Sequence, residues 1–347
     1  MTPDASVAAT TLPGDPPELG SLAATAASGD AETLVREFAA SLSHAQRAEV
    51  AFDYDHVDAK RGLLRAFVTN HWQVTRPAVR SDFFAPSQQA LVHAIFRSLL
   101  SARAYPRVLR QLQDDCLGHP WGRNQSVALF GEPRDGRFQF VFTGRHVTLR
   151  ADGGFDARQA FGGPVFYAHT VGSYMERPDH PGNVYWHEAV AASAWLEALP
   201  REVAERAIVK AIPPEPALGF RADIPGLPLA QVGAPALASA AALVELLLER
   251  FRDVDRARVR RCLDAQGGLA ACSLQFASDG RMSAPRFDNW RLEGPAFIWH
   301  WRGFPHVHVW VHVATEPDVV VNAATGRRLF EGQDPLPQRA FPFNLPR

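Results

Sequence analysis

The chain has 347 residues, is 46% hydrophobic, and sets 36 Lys plus Arg against 37 Asp plus Glu for a net charge of −1. That size can fill a large core, while the balanced charge offers no basic field for nucleic acid or an anionic membrane surface. The longest apolar stretches, such as Leu237–Leu248 with Glu245 inside, are too short to span a bilayer. Residues 1–28 lack the basic and apolar regions of a secretory signal, so the expected location is the cytoplasm. Cys116, Cys262 and Cys272 form an odd set without a CxxC pair, which predicts buried reduced thiols rather than disulfides or a thiolate zinc site.

Residues 1–30, rich in Ala, Pro, Gly, Ser and Thr, read as a disordered tail ahead of one α+β domain over 31–330. Leu34, Phe38 and Leu42 recur at helical spacing and predict a helix from Asp30 to about Arg47. Pro86 starts a second helix over Ser87–Ser101, with Leu91, Ile95 and Leu99 on one stripe, and Tyr105–Asp114 predicts a third. Ser126–Phe130, a Gly/Pro turn, and the alternation of Phe138, Phe140 and Phe142 form a hairpin, with Arg145–Leu149 expected to continue its second strand.

Val184–Val209 reads as two helices divided at Pro200. Pro213–Pro235 is a Pro/Gly-rich connection, either a lobe boundary or a surface excursion. A Leu stripe marks a helix over Leu237–Val254, the stretch Leu274–Val321 is β-rich, and 331–347 is a Pro-rich tail. Helices thus precede and separate groups of antiparallel strands, which predicts an antiparallel sheet core with helices packed from the N-terminal and middle segments.

The most informative run is His306-Val307-His308-Val309-Trp310-Val311-His312-Val313. On a strand it puts valines on one face and His306, His308, Trp310 and His312 on the other. Two imidazoles in an HxH pair can converge on one divalent ion at ~2.0–2.1 Å and need a third ligand from elsewhere. The plainer alternative is an aromatic face with hydrogen-bonded histidines. His312 lies ~13 Å along the strand from His308 and is expected at the surface. If Ala296–Trp301 closes a hairpin on His306–Val313 through the loop Arg302–Pro305, Trp301 faces His306, Trp299 faces His308 and Phe297 faces Trp310. Trp299 and Trp301 would then wall the site, with His300 on the opposite face; a one-residue slip would reverse these partners.

Several segments together resemble the uncharacterised bacterial family called domain of unknown function 3500: Ser41–Arg47, Leu99–Tyr105, Phe130-Gly131-Glu132-Pro133, Gly144-Arg145-His146, Phe161–Pro164, and Trp290–Phe297 leading into His306-Val307-His308. The family tends to carry Gly-His-His in mid-chain and His-x-His after an Arg-x-x-Gly-Pro strand. In this chain Arg145 replaces the first mid-chain histidine, and His300 stands near a position often acidic. The acidic, Gly-rich segment that usually follows the His-x-His is not recognisable. The resemblance implies that His146 joins His306 and His308 as metal ligands. His169, near His146 in sequence, reads as a fourth ligand or as a satisfied loop histidine, and with Arg145 it is expected around the ligands. It implies no reaction.

Arg145 and Arg291 could each hold a substrate carboxylate or a structural ion pair. Trp186-His187-Glu188 starts like a zincin helix, but Ala191 stands where the second histidine should be. Asp53, Asp55, His56 and Asp58 read as a solvated turn. No phosphate loop and no GxSxG elbow occurs. An all-histidine site favours copper or iron over magnesium or calcium. The expectation is therefore a mononuclear oxidoreductase acting on a small molecule or peptide. Zinc hydrolysis, with Glu293 or Glu188 as base, and a non-enzymatic aromatic/histidine binding pocket are the alternatives.

Overall fold

Residues 30–116, 119–169, 184–277 and 289–328 are described by the computed structural model, so the tails expected at 1–30 and 331–347 lie outside the described residues except for Asp30, which caps the first helix. The strands are β1 (Ala51–Phe52), β2 (Val57–Asp58), β3 (Gly62–Leu63), β4 (Phe67–Trp72), β5 (Ser126–Glu132), β6 (Arg137–Gly144) and β7 (Val147–Ala151). They continue with β8 (Val165–His169), β9 (Leu227–Pro228), β10 (Ser273–Ala277), β11 (Asn289–Gly294), β12 (Phe297–Arg302), β13 (Val307–Val313) and β14 (Asn322–Arg328). Ten of them form one sheet in the order β1-β5-β6-β7-β8-β13-β12-β11-β10-β9, antiparallel throughout except for the β1–β5 pair. The protein is α+β, as its pattern of strand groups and helices predicts.

Period-two alternation gives this sheet two unlike faces. Val127, Leu129, Phe138, Phe140, Phe142, Val147, Leu149, Val165, Tyr167, Leu292, Trp299, Trp301 and the four valines of β13 belong to the main core, shared with the helices. Fully burying one such side chain stabilises by about 1.5–3 kcal/mol. The alternate residues are also buried: Thr148, Arg150, His300, His308, His312, Arg291, Glu293 and Gln275 are polar, and Phe130, Val141, Phe166, Ile298 and Trp310 among them form smaller apolar clusters. Over this second face lie the parallel pair β4–β14 and the segment 215–221.

The helices refine the expected boundaries. The first predicted helix is two, Ala31–Ser41 and His44–Val50, because Ser43 and Gln46 form a reciprocal capping box that restarts the chain. Pro86–Ser98 and Tyr105–Asp115 match the next two predictions closely. The helix expected over 237–254 ends at Leu248, and a separate helix, Asp253–Ala265, follows with Asp253 and Asp255 in its first turn.

The Pro/Gly-rich connection is no lobe boundary: the sheet takes strands from both sides of it, and its first part straps the polar face. Ala217 O accepts from Arg291 Nη2 at 2.8 Å and Leu218 O from His312 Nδ1 at 2.9 Å. Phe220 stacks on the His312 ring at 4.4 Å, and Arg221 pairs with Glu293 at 2.6 Å. Pro216, half-buried, does not break this strap, because the strap forms no ladder that needs its missing N–H group.

Candidate metal centre

His146 occupies the two-residue corner between β6 and β7, where Gly144 pairs with Val147; the strand expected to run on from Arg145 breaks at this turn instead. Its φ of 62° is left-handed, uncommon for a residue with a Cβ. Such a conformation costs of order 1–3 kcal/mol and persists only where the surroundings impose it. Here they do. His146 N donates to Asn70 O at 3.1 Å, while its carbonyl accepts from Ala168 N at 3.2 Å and from Gln111 Nε2 at 3.3 Å. Asp115, one helical turn beyond Gln111, sets a carboxylate oxygen 3.1 Å from His146 Nδ1.

His308 lies in β13 and His306 just before it. The hairpin register differs from the expected one. Arg302 faces His308, His300 faces Trp310, and Ile298 faces His312, with 303–307 as the connection. Summed over the pairing, this is an offset of three residues, and an odd offset exchanges every side chain between faces. Trp299 and Trp301 therefore pair with Val311 and Val309 in the helix-side core and do not wall the site. His300, expected on the other face, shares the face of His308. The aromatic neighbours of the site are Phe166, whose ring stands edge-on 5.3 Å from His308, and Trp310, 4.5 Å from Phe166.

The three expected ligands do meet. One donor atom from each of His146, His306 and His308 falls within 4.8 Å of the others, and the Nε2 atoms of His306 and His308 are 2.9 Å apart. Imidazoles around a tetrahedral ion at ~2.0–2.1 Å place their donors ~3.3 Å apart. Burial, reinforced by neighbouring imidazoles and by the charges of Arg302 and Arg145, holds His306 and His308 well below the ordinary imidazole value. Both are neutral at physiological pH, the form that ligates metals.

Two ligands are backed by carboxylates. Glu215 Oε2 accepts from His308 Nδ1 at 2.6 Å and from Trp310 Nε1 at 2.9 Å, and its other oxygen lies 2.9 Å from Arg302 Nε. The Glu215 bond leaves His308 Nε2 facing His306 Nε2 across the shared centre, and Asp115 stands against His146 Nδ1. This is the carboxylate–histidine arrangement that fixes ring orientation in metal sites. Sequence reasoning missed both. Asp115 carries the signal of an i+4 partner to Gln111 on one helix face, but nothing in Pro-Pro-Glu-Pro marks Glu215.

The other candidates fall elsewhere. Arg145 flanks His146 and bridges through its backbone to His71 of β4. His169 pairs with Val307 and so lies on the helix-side face, its Nε2 3.4 Å from Asp114; it is not beside the triad because adjacent strand positions point to opposite faces. Arg291 is committed to Glu293 at 3.1 Å and to Ala217 O, a structural pairing. His312, expected at the surface, is fully buried under Phe220. Glu188, of the incomplete zincin pattern, binds Arg250 at 2.9 Å and the Tyr167 hydroxyl on the helix side. Asp55 and Asp58 pair with Arg65, Arg137 and Arg61 in an exposed turn, and all three cysteines are buried and free.

A family model described as "Protein of unknown function (DUF3500)" matches residues 25–315. The chain belongs to this family. The match spans both His146 and the His306/His308 pair, so the triad lies wholly within the family's domain. No curated protein and no solved structure matches the chain. No helix among the described residues is long and apolar enough to cross a membrane.

Proposed function

We propose that this protein is a metalloenzyme with a mononuclear centre held by His146, His306 and His308, and that its chemistry is oxidation–reduction on a small molecule or peptide. One observation carries the reading: donor atoms of His146, His306 and His308 share a centre, the His306/His308 pair is held neutral, and Glu215 takes up the second nitrogen of His308 while Asp115 stands beside His146 Nδ1. A cluster kept for packing alone has no need of that orientation. An all-nitrogen donor set suits copper, iron or zinc and does not suit magnesium or calcium. Three protein ligands leave coordination positions for substrate or a small co-reactant.

Redox chemistry is favoured over zinc-dependent hydrolysis by the state of the nearby carboxylates. Hydrolysis needs one as general base. Glu293 is held by Arg291 and Arg221, and Glu188 by Arg250 on the opposite face. Glu215 and Asp115 are engaged with the ligands themselves.

Elemental analysis of the purified protein is the test. About one copper or iron per chain is expected, and His306→Ala or His308→Ala should each remove most of it. Loss of one of three ligands should weaken binding by more than the ~10–100-fold typical of an outer-shell change. Stoichiometric zinc would move the assignment to a hydrolase. No metal after reconstitution would refute the metalloenzyme and leave the Phe166/Trp310/histidine surface as a binding pocket.

A further inference from the structure

The strap over 215–221 is anchored to the polar face at points that have different jobs. Ala217 O, Leu218 O, Phe220 and Arg221 meet Arg291, His312 and Glu293, none of which belongs to the triad. Glu215 alone among these anchors meets a ligand. Its carboxylate accepts from His308 Nδ1 and Trp310 Nε1 and pairs with Arg302, so both oxygens are engaged. The Arg302 guanidinium also touches His308 Nδ1.

We infer that Glu215 is the positioning residue of the metal centre: it fixes the tautomer and angle of His308 and raises the basicity of that ligand, and Trp310 and Arg302 serve to hold the carboxylate. The inference deepens the metalloenzyme reading and rests on it. The physical reason is a division of charge. Nδ1–H directed at a carboxylate leaves the Nε2 lone pair for the ion, and the partial negative charge passed to the ring strengthens that bond. Two fixed donors to the same carboxylate, an indole and a guanidinium, keep it from swinging to the ion as a fourth ligand. The centre thereby keeps an all-nitrogen donor set although a carboxylate stands in contact with one of its ligands. The assignment also accounts for a charged residue in the stretch 213–219, otherwise made of Pro, Ala, Leu and Gly.

The test compares Glu215→Gln with Arg221→Ala, using cobalt(II) as a spectroscopic probe in the full-length chain. Glu215→Gln keeps the shape but removes the charge, while Arg221→Ala loosens the strap away from the ligands. The expected result is cobalt affinity 10–100-fold weaker and altered d–d bands for Glu215→Gln, with wild-type bands and affinity within about threefold for Arg221→Ala. Melting of the metal-free proteins separates folding from coordination. Should Glu215→Gln fail to fold, Glu215→Asp, which retains the charge on a shorter arm, is expected to bind more weakly than wild type with shifted bands. Equal affinity and bands in wild type and the Glu215 variant would overturn the inference. So would an equal loss in Arg221→Ala, which would assign the effect to strap docking. A wild-type protein that takes up no cobalt would remove the metalloenzyme reading itself, a result distinct from either.

Discussion

The two faces of the ten-stranded sheet are equally dry and differ in how their residues were admitted. On the helix side, Val307, Val309, Val311, Trp299 and Trp301 are each fully buried and held by contact alone. On the strap side, Arg291, Glu293, His300, His308 and His312 are as deeply buried, and each is matched to a specific polar partner. Burying a polar group costs free energy unless its hydrogen bonds are replaced. The strap side therefore contributes specificity of arrangement at little net stability, whereas the helix side supplies the stability that permits it. The candidate centre sits where the two meet. Asp115 reaches His146 from a helix, and Glu215 reaches His308 from the strap.

Mutations should break this contrast in a graded way. Trp299→Ala opens a large cavity in the helix-side core and should lower stability by about 3–5 kcal/mol. The metal-bound spectrum of whatever protein remains folded should be unchanged, because Trp299 points away from the site. A denaturant titration with the cobalt spectrum beside it checks both halves. If the bands move, the sheet does not insulate the centre from its own core.

Glu293→Gln should cost about 3 kcal/mol, since it strands the buried Arg291 guanidinium without its counter-ion. Here volume is conserved and only charge is lost. A loss as small as that of a surface substitution would mean the polar face is more hydrated than its burial implies.

The acid limb of stability offers a third comparison. Burial pushes His312 down to about 4 and His300 down to about 3, so both stay neutral in the fold at pH values where the unfolded chain, near 6.5, takes up protons. Their contribution is complete above about pH 6.5 and declines as pH falls towards these folded-state values. His312→Asn retains a donor for Leu218 O but cannot protonate. It should flatten the loss between pH 6.5 and 4 by up to roughly 3 kcal/mol, read from urea midpoints across that range. An unchanged slope would mean His312 does not carry it. At the small end, Arg201→Ala removes an exposed i,i+4 pair with Glu205 and belongs to neither face; its effect should stay under about 0.5 kcal/mol.

The sequence by itself determined the elements and the ligand types. Hydrophobic period and turn residues located the helices at 86–98 and 105–115, the Phe-rich hairpin and the β13 alternation, because those signals depend on neighbours three or four residues away. His146, His306 and His308 were legible from an HxH strand pattern and a family resemblance, and the structure brings their donors together.

Tertiary structure decided what depends on distant partners. Hairpin pairing is set by the whole loop and by the strands on either side, so a three-residue offset moved Trp299 and Trp301 into the core and turned His300 towards the site. The strand β4 gains its identity only by pairing with β14, some 250 residues away in chain order. Glu215 lies 93 positions from His308, and no local period connects them. A short polar residue in a Pro-rich segment carries no mark of what it will touch; only the closing of the strap over the sheet gave it a ligand to hold.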